Sequence, residues 1–96
     1  MAEKELLQQH LGSMRRQLTS LDDLCDAARN CLARTQSTYS EAVANAQAHG
    51  QALSEVDNQR YAGLLKEAQD NVAIAVSARE QFHAKLHQLE DRISRL

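Results

Sequence analysis

The sequence predicts an all-α protein: two long antiparallel helices in a coiled-coil helical hairpin, completed by dimerisation or by a partner helix. The 96-residue chain has no proline, three glycines and 3% aromatic residues, and its apolar residues are mostly Ala and Leu. Long helices and coiled coils have this composition. Two heptad patterns follow one another out of phase, and signals for a helix end and a helix start lie between them.

The first helix is predicted at about 3–49. From Leu7, and with Leu11 at heptad position a, apolar residues recur by alternating steps of four and three as far as Val56. This spacing keeps one apolar seam on one face of a helix. The large residues of the seam in this helix are Leu11, Met14, Leu18 and Leu21.

The apolar side chains of the seam become smaller towards the end of this helix. After Cys25 its residues are mostly small or polar, and several Ser and Thr residues lower the helix propensity of the same stretch. Thr38 with Glu41 also fits a capping box, so a break in the helix is an alternative there. The heptad stays in phase on both sides, which favours a single helix.

A turn is predicted at about 50–54. Gly50 is a typical helix stop, and Ser54 followed by Asp57 is a typical helix start. His49 is expected to cap the last carbonyl groups of the first helix. The alternative is one continuous coiled-coil rod with a skip residue near position 57.

The second helix is predicted at about 55–96, so the whole chain, 1–96, forms a single helical-hairpin domain. Its heptad begins at Tyr61. Arg79 occupies an a position, where leucine is usual, and we expect it to fix the register or to receive a carboxylate from a partner. The large seam residues of this helix are Phe82, Leu86, Leu89 and Ile93.

Folding the chain back at the turn pairs its arms in a consistent way. The large seam residues of both arms come together at one end, and the small ones come together near the turn. At the flanking e positions, residues of opposite or complementary charge face each other: Arg15 with Glu90, and Asp22 with His83. Such exposed pairs are weak, so they indicate register more than stability.

Apolar residues also flank the seam, and two packed helices alone would leave them in water. This excess predicts a protein partner, which is either a second copy that closes a four-helix bundle or a helix of another protein. The predicted partner-binding residues are Leu24, Cys31, Val43, Leu64, Val76 and Arg79.

The charge, the hydropathy and the cysteine spacing exclude several partners and a disulfide. The formal net charge is -2 with both signs interspersed, so we expect no nucleic-acid partner. No apolar run is long enough for a membrane span and the amino-terminal residues are polar, so we expect a cytoplasmic protein without a membrane partner. Cys25 and Cys31 would lie about 9 Å apart along a helix, beyond the reach of a disulfide.

The sequence contains no arrangement typical of catalysis. No nucleophile, base and orienting group fall together, and no glycine-rich loop is present. We therefore expect no enzymatic activity, no cofactor and no small-molecule substrate. His83 and His87 have the spacing that lets two imidazoles share a metal ion, which makes a metal- or pH-responsive regulator an alternative function.

The remaining hypothesis is a non-enzymatic protein–protein interaction module: a small helical chaperone or adaptor, or a stalk subunit of a larger assembly. In length, in Ala and Gln richness and in hairpin shape, the sequence resembles the short helical-hairpin chaperones and coiled-coil stalk proteins of bacterial type III secretion systems. The secreted partner family with a Trp-x-Gly turn has this length too, but the turn here is His49-Gly50-Gln51. An architectural coiled-coil spacer subunit is a further alternative.

Overall fold

The protein is a hairpin of two α-helices. The computed structural model describes residues 2–96. Helix α1 spans Ala2–Ala48 and helix α2 spans Glu55–Ser94, and none of the described residues lies in a strand. The predicted all-α helical hairpin is confirmed, and the alternative of one continuous rod is wrong.

The end of α2 differs from its predicted end at residue 96. The N–H of Arg95 donates to the carbonyl oxygens of both Asp91 (3.2 Å) and Arg92 (3.3 Å), and the N–H of Leu96 donates to Ile93 (3.1 Å). Bonds to the third residue back tighten the last turn and leave the α-helical path. The α-helix therefore ends at Ser94.

The Ser- and Thr-rich stretch of α1 is helical throughout. The hydroxyl of Thr35 donates to the carbonyl oxygen of Cys31, and that of Thr38 donates to the carbonyl oxygen of Arg34, each at 2.9 Å. These bonds satisfy the side-chain hydroxyls within the helix, so they do not compete for another backbone conformation. The alternative helix start at Thr38 is not used.

The turn begins with a Schellman motif at the end of α1. Gly50 has a φ of 69°, and its N–H donates to the carbonyl oxygen of Gln47 at 2.9 Å. The N–H of Gln51 donates to the carbonyl oxygen of Ala46, also at 2.9 Å. These two bonds satisfy carbonyls that the helix itself leaves free, and the left-handed conformation explains the glycine.

Side chains on both sides of the turn cap the helices. Nδ1 of His49 lies 2.8 Å from the carbonyl oxygen of Asn45, which accepts the ring N–H. Ser54 Oγ accepts the N–H of Asp57 at 3.2 Å, and the Ser54 carbonyl accepts the N–H of Asn58 at 2.8 Å. Ser54 is thus the N-cap of α2, as its position before Asp57 predicts.

The internal contacts of the chain divide it into two compact units. The terminal unit contains the residues up to Cys25 together with Ala75–Leu96, and the turn unit contains Asp26–Ile74. Each unit contains one segment of α1 and one segment of α2.

The terminal unit has a core of large side chains from both helices. Leu11, Met14 and Leu86 form a buried cluster. Four partly buried residues pack against this cluster: Leu18, Phe82, Leu89 and Ile93. Leu21 is half-buried. The predicted antiparallel register, in which the large seam residues of the two arms meet, accounts for this cluster.

The turn unit has a thinner core. Ala68, at 5% exposed, is its one buried hydrophobic residue. Most seam positions in this part of α1 are Ala, Thr or Tyr, and they reach only partial burial. The seam was also predicted to continue through His49 and Val56, and this is wrong, since both residues are exposed. Helix α1 has ended before Val56, which lies in the first turn of α2 with 77% of its surface exposed.

Candidate protein-binding surface

Three of the predicted partner-binding residues lie in the terminal unit. Leu24 is 54% exposed, whereas Val76 and Arg79 are half-buried. Leu24 directly precedes the buried Cys25 of α1, and Val76 directly follows the buried Ala75 of α2. Of the three, Leu24 presents the largest free apolar surface.

The other three predicted residues lie in the turn unit. Leu64 is 47% exposed, Cys31 is exposed as a free thiol, and Val43 is half-buried. Ile74 on α2 is exposed to a larger extent, at 67%. The unit with the thinner core thus also carries exposed apolar side chains on both of its helices.

An ion pair joins the two helices of the terminal unit. The guanidinium Nε of Arg79 donates to the carboxylate Oδ1 of Asp22. This hydrogen bond and the negative charge of Asp22 raise the pKa of Arg79 above its ordinary value. About two fifths of each side chain stays exposed, 42% for Arg79 and 44% for Asp22, so solvent screens the attraction.

The charge pairs predicted from the e positions are wrong, because Asp22 pairs with Arg79 and not with His83. Among the described residues, the salt bridges are Asp22 with Arg79 and Glu3 with Arg92, the latter at 3.6 Å. The predicted pairs of Asp22 with His83 and of Arg15 with Glu90 do not form salt bridges. Heptad geometry brings Cβ atoms close, but a long guanidinium can cross to another carboxylate within its reach.

Aromatic side chains join the two helices of the turn unit. The rings of Tyr39 and Tyr61 stack with their centroids 5.4 Å apart, and the hydroxyl of Tyr39 donates to the amide oxygen of Asn58. The guanidinium carbon of Arg60 lies 5.7 Å from the centroid of the Tyr61 ring. Sequence reasoning missed this cluster, although Tyr39 and Tyr61 are seam residues at equal sequence distance from Gly50.

The two histidines of the alternative metal- or pH-responsive function lie side by side. The ring centroids of His83 and His87 are 4.9 Å apart, and the rings meet edge to face. Both side chains are exposed. Within residues 2–96, no group of three or more His, Cys, Asp or Glu side chains is placed to hold a metal ion.

Two open depressions lie on the surface of the terminal unit. One follows the end of α2 beside Asp91 and Arg92, and another lies between the helices beside Met14, Lys85 and Leu89. Neither helix, over the residues described, has a stretch apolar and long enough to cross a membrane.

Comparison of the chain with protein-family models, with curated protein sequences and with solved structures finds no match. The candidate surface therefore rests on the residues and contacts given above.

Proposed function

We propose that this chain is a non-enzymatic protein-binding module, a small helical chaperone, adaptor or stalk subunit whose exposed apolar side chains pack against a helix of another protein. The supporting observation is the area that the chain leaves in water. Large hydrophobic side chains remain exposed, among them Leu24 at 54%, Leu64 at 47% and Ile74 at 67%. Protein surfaces with excess apolar area are typical of binding sites.

The turn unit is the part of the chain that gains most from a partner. In its seam Ala68 is buried and the other residues are only partly buried, while Leu64 and Cys31 remain exposed beside that seam. A helix laid along this flank would cover both side chains and would complete a bundle of three or more helices. A helical partner therefore fits this surface better than an extended peptide, because residues 2–96 contain no strand whose edge a peptide could extend.

The cellular setting is also part of the proposal. Both cysteines are free thiols, which agrees with a reducing compartment such as the cytoplasm. The resemblance in length, composition and hairpin shape to helical-hairpin chaperones and stalk proteins suggests a subunit of a larger assembly, such as a bacterial type III secretion system.

The test compares the wild-type chain with Leu64→Asp. A tagged chain is used to capture partners from its native host in mild salt, each captured protein is purified, and binding is then measured with the two purified components. We expect the partner to raise the thermal midpoint of the wild-type chain by mass action. Leu64→Asp should lose that binding, because a carboxylate would have to be desolvated in an apolar contact.

Ala73→Asp is the matched control. It adds the same charge to an exposed position of the same helix, and it should bind the partner as the wild type does. If the isolated chain is a monomer that melts above about 80 °C, it has no need of a partner and the proposal fails. Equal loss of binding in both variants would also contradict it. Sedimentation of the isolated chain distinguishes a second copy from another protein as the occupant.

A further inference from the structure

We propose that His83 and His87 form a two-imidazole chelate for a divalent late transition-metal ion such as Zn²⁺, on the exposed face of α2. The inference is independent of the proposed protein-binding function. It starts from the spacing of the two residues, since side chains four apart on a helix lie on the same face with Cβ atoms about 5–6 Å apart. Two histidines at this spacing on a helix are known as a zinc-binding arrangement.

The structure places the two rings close enough to share an ion. Their centroids are 4.9 Å apart, and both side chains are exposed, so each ring can rotate without disturbing the core. Zn²⁺ bonds to imidazole nitrogen at about 2.0–2.1 Å, a length that two neighbouring rings can reach together. Because both ligands lie within one helical segment, no change in the backbone is needed.

The other histidines of the chain lack this arrangement. His49 has its Nδ1 engaged with the carbonyl oxygen of Asn45 and stands at the helix end. His10 has Leu6 and Met14 at the positions four residues away. The pair on α2 is therefore the one place where two imidazoles of this chain lie on one helical face, and the other two histidines serve as internal controls.

The charges around the pair permit a cation. Asp91 lies four residues after His87, on the same face. Lys85 lies between the two histidines in sequence, but about 160° away around the helix. Arg79 lies four residues before His83, and its guanidinium is bonded to the carboxylate of Asp22, which offsets its charge.

The donor set determines which ions would bind. Neutral imidazole suits Zn²⁺, Cu²⁺ and Ni²⁺, whereas Mg²⁺ and Ca²⁺ prefer oxygen ligands. Two protein ligands leave further coordination positions of the ion for water or for a donor group of another molecule. The ion would also hold residues 83–87 in helical geometry, so its binding should stabilise this segment of α2.

The test is calorimetric titration of the full chain with ZnCl₂ at neutral pH, with Cys31→Ser as the background because an exposed thiol also binds zinc. We expect one ion per chain. His83→Ala and His87→Ala should each weaken binding about 10²-fold, because the second ligand then no longer acts intramolecularly. Resonances of the two rings should shift together in NMR spectra, and MgCl₂ should give no binding.

Two controls separate chelation from nonspecific binding. The double variant His87→Gln with Gln88→His keeps the histidine count but moves one ring away from the shared face, and it should bind as weakly as the single alanine variants. His10→Ala and His49→Ala should keep the wild-type affinity. The proposal is overturned if the background chain binds no zinc, or if the double variant binds as tightly as the background chain. Circular dichroism confirms that each variant keeps its helix content.

Discussion

The guanidinium of Arg79 on α2 bonds to the carboxylate of Asp22 on α1, so a charged residue at a seam position is neutralised by the opposite helix. Arg79 stands where a coiled coil would normally place leucine. Its charge is tolerated because both side chains keep about two fifths of their surface in water. The pair thus links the two helices of the terminal unit without burying a charge.

Removing this ion pair should have a small effect on stability. We expect Asp22→Ala to lower the thermal midpoint by only a few degrees, since exposed pairs contribute little. Arg79→Leu should leave the midpoint unchanged or raise it, because leucine packs in the seam and leaves only an exposed carboxylate behind. Thermal melts followed at 222 nm measure both changes. A large loss in Arg79→Leu would show that the guanidinium has a structural role beyond this pair.

The pH dependence of this pair follows from the raised pKa of Arg79. A group whose pKa is higher in the folded state stabilises that state below its unfolded pKa, and this contribution is lost as the pH rises through the folded value. For an arginine both values lie in strong alkali. We therefore expect the difference in thermal midpoint between wild type and Arg79→Leu to stay constant from neutral pH to about pH 10. If this difference in thermal midpoint decreased between neutral pH and about pH 10, the attribution of the effect to the charge of Arg79 would be contradicted.

The core of the terminal unit gives a prediction about packing. Leu86 is 5% exposed within the buried cluster, whereas Leu6 is 65% exposed. We expect Leu86→Ala to lower the free energy of unfolding by about 2–5 kcal/mol, through lost burial and the cavity left behind. Leu6→Ala, the same substitution at an exposed site, should change it by less than about 0.5 kcal/mol. Urea denaturation of both variants makes the comparison, and similar losses would mean that Leu6 is covered in solution.

Two glycines should respond in opposite ways to the same substitution. Gly50→Ala should destabilise the protein by about 1–2 kcal/mol, because its φ of 69° is unfavourable for a residue with a Cβ atom. Gly63→Ala should stabilise it by about 0.5–1 kcal/mol, since Gly63 lies within α2 and a Cβ there meets no atom within 4 Å. Chemical denaturation gives both values. If Gly50→Ala had no effect, the Schellman turn would not limit stability.

The tyrosine cluster of the turn unit makes two separable contributions. Tyr39→Phe removes the bond to Asn58 but keeps the ring, so we expect a loss of at most about 1 kcal/mol. Tyr39→Ala also removes the stacking on Tyr61 and the apolar area of the ring, so its loss should be clearly greater. Denaturation of the two variants, with Asn58→Ala as the control for the polar bond, measures each part. Equal losses in the two Tyr39 variants would assign the whole effect to the hydroxyl.

The sequence alone predicted the two helices, the turn between them and the antiparallel register of the large seam residues, and the structure excluded the continuous rod that the sequence left as an alternative. These features follow from local rules: heptad spacing, the left-handed residue at Gly50 and the hydroxyl cap at Ser54 act over a few residues each. They can be read without knowing what lies across the seam. The four-residue spacing of His83 and His87 on one helix is local in the same sense.

The tertiary structure alone decided which polar side chains meet. Asp22 pairs with Arg79 and not with His83. Heptad positions specify where the Cβ atom of a residue lies, but a long side chain can contact any group within its reach. The bond from Tyr39 to Asn58 has the same origin. The exposure of Val56 depended on where α1 ends, and the thin core of the turn unit depended on how far small seam residues become buried when two helices pack.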